Sequence, residues 1–174
     1  SMPDRRDRNL FPNVYTDPKA GTDTGQQPQF PKATGPISYI GHDQVARDIA
    51  NLKAGLPAAG YDESDGYINS LSPGSASRIA NEHYATEEEF IWAWADVLRE
   101  EYLAITQAGL TVQIDDPSLA ESWDQINPAP SVEDYRRYIQ LRCDAINTAL
   151  EGIDPAQVRL HLCWGSWHGP HTTD

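Results

Sequence analysis

Cysteine is scarce in this 174-residue chain, which holds only Cys143 and Cys163. Two thiols are too few for a disulfide framework, and they point to a reducing, cytoplasmic setting. Basic residues are also few: 13 Lys and Arg stand against 26 Asp and Glu, for a formal charge of −13. Such a balance leaves no basic face to displace counterions from a phosphate backbone, which argues against nucleic acid as a partner. It argues equally against an anionic membrane surface. No apolar run approaches the roughly 20 residues of a membrane helix, no stretch reads as a secretory signal, and no repeat recurs at solenoid period. The length suits one ordinary domain that buries a core without covalent staples.

Proline is abundant where the chain starts. Pro3, Pro12, Pro18, Pro28 and Pro31 punctuate a polar stretch with few apolar residues. Proline restricts its own φ and the residue before it, so segment 1–35 reads as an extended arm without helix or inner strand. From residue 36 to 174 short apolar runs alternate with amphipathic ones. Strands are predicted over 37–40, 67–71, 110–114 and 158–163. Between them lie helices over 42–56, with Val45, Ile49 and Leu52 on one stripe, over 86–108, and from Ser131 to about Leu150. Thr86 and Glu89 form a capping box, and Gly109 and Gly152 suit helix ends. The resulting β-α-β-α-β-α-β order predicts a parallel sheet covered by helices. In such folds, sites gather where strands end.

Three strand ends carry chemistry. His161 and Cys163 are two apart on the last strand, so their side chains share a face, and an imidazole with a thiolate is a donor pair that zinc prefers. Beyond them lie His168, His171 and Asp174, with Trp164 and Trp167 able to wall the site. The plainer alternative is that the pair packs inside the sheet. Asp115, ending the strand before Asp116-Pro117, is placed to bind an ammonium, act as a general base or ligate a metal; alternatively Asp115 or Asp116 accepts backbone amides in a turn. Ser72 lies in Ser70-Leu71-Ser72-Pro73-Gly74-Ser75, a turn able to offer amides to an anion or simply to connect two elements. It matches no phosphate-binding or nucleophile-elbow motif. Cys143, between Ile139 and Ile146 at helical spacing, reads as a core thiol, and His42 and His83 read as a cap or surface residues.

In succession, Gly35-Pro36-Ile37-Ser38-Tyr39, Ser72-Pro73, Gln113-Ile114-Asp115-Asp116-Pro117 and His161-Leu162-Cys163-Trp164-Gly165 resemble the cobalamin-independent methionine synthase family, in its shorter single-barrel branch. The resemblance runs from about Gly35 to the C-terminus. It implies a TIM-type (β/α) barrel, bound zinc, and transfer of a methyl group from a donor to a small-molecule thiol such as homocysteine. By position, His161 and Cys163 match the first two zinc ligands, Asp115 the acid that holds the substrate's amino group, and Ser72 a segment lining the substrate pocket. The family's Asp-Glu-Pro is Asp-Asp-Pro here.

A complete barrel takes about 250 residues, so about four parallel strands with covering helices imply a partial barrel: a fragment of a longer enzyme, or a reduced relative. Its open edges predict a homo-oligomer or a complementing chain, and the isolated chain is expected to be inactive. Two rivals stand beside the methyltransferase: a metal-free porphyrinogen decarboxylase-like barrel, and a non-catalytic partner subunit.

Overall fold

Apolar residues at three- and four-residue spacing build the long helices, and side-chain caps set where they start. The computed structural model describes residues 5–17, 19 and 31–165. Its first half runs through helices α1 (Arg6–Leu10) and α2 (Pro12–Thr16), strand β1 (Lys32–Ala33), helix α3 (His42–Ala58), strand β2 (Tyr67–Leu71), the one-turn helix α4 (Pro73–Ala76) and strand β3 (Ala80–Asn81). Helix α5 (Glu87–Gln107), strand β4 (Thr111–Asp116), helices α6 (Ser118–Gln125) and α7 (Val132–Ala149), and strand β5 (Val158–Leu162) follow. The fold is mixed α/β, with seven α-helices and two small parallel sheets among the described residues. None of these helices is long and apolar enough to cross a membrane.

Thr86 caps α5 by accepting the Glu89 amide at 3.0 Å, and the Glu89 carboxylate reaches back to the Ala85 amide. Ser131 caps α7 in the same way, through the Asp134 amide. Gly109, just past α5, has φ +85°, a conformation that a side chain would strain.

The main sheet runs in the order β2-β4-β5, with every pair parallel. Val112 and Ile114 of β4 face the helices and pack with Ile91, Leu98 and Ile105 of α5 and Ala145 and Ile146 of α7. Val45 and Leu56 of α3 complete that layer. Alternation puts Thr111, Gln113 and Asp115 on the opposite face. Abreast of them lie Tyr67, Asn69 and Leu71 of β2 and Arg159 and His161 of β5. These five flanking residues are exposed, so that face is open among the described residues, while on the other face the helices cover β4 and leave Leu160 and Leu162 of β5 exposed.

Three expectations need correction. Segment 37–40 forms no strand. It is tied by side chains instead: the Ile37 amide donates to the Tyr84 hydroxyl at 3.0 Å, and the Tyr39 hydroxyl donates to Glu101 at 2.7 Å. Among the described residues the main sheet therefore has three strands, and β1 pairs with β3 in a separate two-residue ladder. Segment 1–35 is not wholly extended either. Pro12 takes the first turn of α2, where its missing N–H costs nothing. In α1 the buried Asp7 accepts from Arg5 Nε at 3.0 Å and from the Tyr15 hydroxyl at 2.7 Å. Arg6 then ties α1 to the Trp123 carbonyl at the end of α6.

Candidate functional site

The parallel register sets Asp115 of β4 abreast of His161 of β5, and abreast of Leu71 on the other side. Neighbouring strands lie about 4.8 Å apart, so two side chains on one face at matching positions come within hydrogen-bond reach. His161 Nδ1 lies 2.9 Å from Asp115 Oδ1. Gln113, two residues earlier on the same face, donates its Nε2 to that same oxygen at 3.0 Å. One carboxylate oxygen thus gathers an amide and an imidazole at the C-terminal edge of the sheet. The His161 side chain is 50% exposed and that of Asp115 27% exposed, so the pair opens to solvent on the uncovered face.

Below this layer, the Arg159 guanidinium sits 4.3 Å over the Tyr67 ring, spanning β4 across the same face. Chemical groups are therefore stacked in rows: an arginine on an aromatic ring, then Asn69 with Gln113, then Asp115 with His161.

Cys163 follows β5 directly; strand pairing ends at Leu162, so the ladder orients His161 and stops one residue short of the thiol. Cys163 is half-buried and free. His161 and Cys163 make a nitrogen–sulfur donor pair of the kind zinc prefers, and the carboxylate on His161 Nδ1 is the partner that metal-bound imidazoles usually have. The chemistry of the donors thus fits zinc as two of its four ligands. No group of three or more His, Cys, Asp or Glu disposed to hold a metal occurs among the described residues. His168, His171, Asp174 and Trp167 lie outside them, while Trp164 is exposed beside the site.

Ser72 is wholly buried, and its hydroxyl accepts the Ser75 amide at 3.0 Å as the cap of α4. Its own amide donates to the Asp115 carbonyl at 3.1 Å, so the turn after β2 is pinned to the end of β4. The Tyr102 hydroxyl adds a bond of 2.6 Å to the Leu71 carbonyl; burial, with Glu101 and Asp116 nearby, raises that phenol well above its usual pKa.

Asp116 points the other way, into the helix layer, and is fully buried. Its Oδ1 accepts from the Ser75 hydroxyl at 3.0 Å, the Ser118 amide at 2.9 Å and the Ser118 hydroxyl. The turn reading of Asp-Asp-Pro thus holds for Asp116, while Asp115 faces the open side. Sequence reasoning left open which of the two acids makes the turn; an acid two residues before a serine amide, across a proline, is the signal that selects Asp116. Elsewhere, Cys143 is half-buried on α7 and burial raises its thiol pKa. His42 is an exposed residue opening α3 and His83 an exposed one beside Tyr84. No protein-family model, curated protein or solved structure matches the chain.

Proposed function

We propose that this chain is part of a zinc-dependent methyltransferase of the cobalamin-independent methionine synthase type, moving a methyl group onto a thiol of the homocysteine class. The observation that carries the reading is the meeting of Asp115 and His161, 2.9 Å apart at the C-terminal ends of adjacent parallel strands. Parallel α/β folds assemble their sites there. The order β2-β4-β5 follows the chain without reversal, which supports a partial TIM-type barrel over a doubly wound sheet, whose sites lie where strand order reverses.

His161 and Cys163 would hold the metal, Asp115 would receive the substrate's ammonium, and the Ser72 turn would border the pocket. Zinc, when bound, would keep an acceptor thiol deprotonated while leaving its sulfur polarisable. The protein's share is then alignment: a donor carbon held in line with that sulfur gains most from fixed geometry. Among the described residues the outer edges of β2 and β5 are unpaired and Leu160 and Leu162 are exposed on the helix side of β5, which supports completion of the barrel by further strands, from a complementing chain or another copy.

Elemental analysis of the purified chain tests this. Near-stoichiometric zinc, lost in both His161→Ala and Cys163→Ser, is the expected result. Metal-free protein in a stable assembly would instead favour a non-catalytic partner subunit.

A further inference from the structure

The hydrogen bonds on Asp115 are unevenly shared between its oxygens. Oδ1 receives both Gln113 Nε2, at 3.0 Å, and His161 Nδ1, at 2.9 Å. A carboxylate only accepts, so the imidazole must donate from Nδ1. The neutral ring then carries its lone pair on Nε2, on the edge turned away from Asp115. Among the described residues Nε2 has no partner, and half of the side chain is open to solvent. A free imidazole favours the opposite tautomer, with hydrogen on Nε2. The sequence places Asp115 and His161 46 positions apart, and only the register of β4 against β5 brings them together.

We infer that Asp115 is a positioning residue: its Oδ1 holds His161 as the Nδ1–H tautomer, leaving Nε2 as the one ring nitrogen able to take a ligand on the open face. Gln113 steadies the carboxylate so that Oδ1 stays on the ring. A substrate ammonium would be met by Oδ2, so the two duties of Asp115 fall on different oxygens. The inference deepens the proposed function and rests on it for the identity of the Nε2 ligand; the tautomer is a property of the metal-free chain.

Long-range proton–nitrogen NMR on histidine-labelled, metal-free protein reads the tautomer directly, with the His161 signals assigned by their loss in His161→Gln. At alkaline pH the parent is expected to show Nδ1–H, Asp115→Ala to revert to Nε2–H, and Asp115→Glu, which retains an acceptor, to keep Nδ1–H at least in part. A titration with zinc alone is expected to weaken about 10- to 100-fold in Asp115→Ala, the usual cost of losing such a partner. A parent spectrum showing Nε2–H, or an unchanged tautomer in a folded Asp115→Ala, overturns the inference. Should Asp115→Ala fail to fold, the parent and Asp115→Glu spectra decide. A locked Nδ1–H tautomer in protein that takes up no zinc would support the positioning role while removing the methyltransferase reading.

Discussion

The Asp116 carboxylate accepts a hydrogen bond from the Ser75 hydroxyl at 3.0 Å, joining the turn after β2 to the end of β4 beneath the helices. Asp115, one residue earlier, faces the other side of the sheet and meets His161. Two successive acids therefore divide the work at one strand end. Asp116 draws the turns after β2 and β4 together, and Asp115 presents a carboxylate to the open face. The backbone bond from the Ser72 amide to the Asp115 carbonyl couples the two layers.

Loss of the buried acid is expected to cost far more stability than loss of the exposed one. Asp116→Ala strands the Ser75 hydroxyl and the Ser118 amide and hydroxyl in a dry layer. Each buried donor left without its acceptor costs about 1–3 kcal/mol, so a loss of about 3 kcal/mol follows. Asp115→Ala, on the open side, is expected to cost under about 1 kcal/mol, in the range of exposed pairs. Urea unfolding midpoints of the two variants give the comparison, and equal midpoints would remove the clamp.

Gly74 lies in that same junction. A Cβ built there would come 2.8 Å from Arg142 Cγ and 2.8 Å from Ser118 Oγ, closer than side-chain carbons approach. Gly74→Ala is therefore expected to destabilise by about 1–3 kcal/mol, the cost of overpacking a filled interior. Gly35, with nothing within 4 Å of its Cβ position, serves as the control, and Gly35→Ala is expected to leave the unfolding midpoint unchanged.

The parts of this fold legible in the sequence are those set by local chemistry. Tyr67–Leu71 has the predicted bounds because Gly66 and Ser72-Pro73 punctuate it, and Thr86 and Ser131 announce α5 and α7 by hydrogen bonds to amides three residues on. Segment 37–40 has the apolar content of a strand, yet Tyr39 finds Glu101 and Ile37 finds Tyr84, so side-chain bonds replace the ladder. The helices of segment 1–35 rest on the bonds of Asp7 with Arg5 and Tyr15, among residues that carry no apolar stripe. Asp115 and His161 were each legible as residues at a strand end. Their contact was not, because a strand's own pattern shows which side chains share a face and not which residue of another strand lies abreast.

Acid is expected to loosen α1 before the rest. Burial alone would raise the pKa of Asp7, but bonds from Arg5, Tyr15 and the Arg8 amide outweigh it and hold the carboxyl below its ordinary value of 3.8. A depressed folded-state pKa means that stability is present above the unfolded value and is lost as pH falls through the folded one. Amide hydrogen exchange of α1 should therefore accelerate below about pH 4, ahead of that of β4. Asp7→Asn should abolish the acid dependence while lowering protection at neutral pH; an α1 response identical in the two proteins would show that Asp7 is not the group responsible.

Arg142 and Glu87 make an ion pair of unequal burial, and the inequality sets which deletion hurts. The Arg142 side chain is 3% exposed and that of Glu87 65%. The guanidinium stacks 3.2 Å over the Tyr138 ring and donates to the Tyr138 carbonyl at 3.1 Å. Removing Glu87 leaves a cation buried without its counter-charge, whereas removing Arg142 leaves an anion that water already reaches. Glu87→Gln is therefore expected to cost about 1–2 kcal/mol, well above the roughly 0.5 kcal/mol typical of an exposed position. Arg142→Met, which keeps the packing volume against Tyr138 and Gly74, should cost no more than that, and the double variant should be less destabilised than the sum of the singles. A thermal-unfolding cycle of the four proteins measures the coupling, and a Glu87→Gln variant as stable as the parent would mean that Tyr138 alone suffices to hold the buried charge.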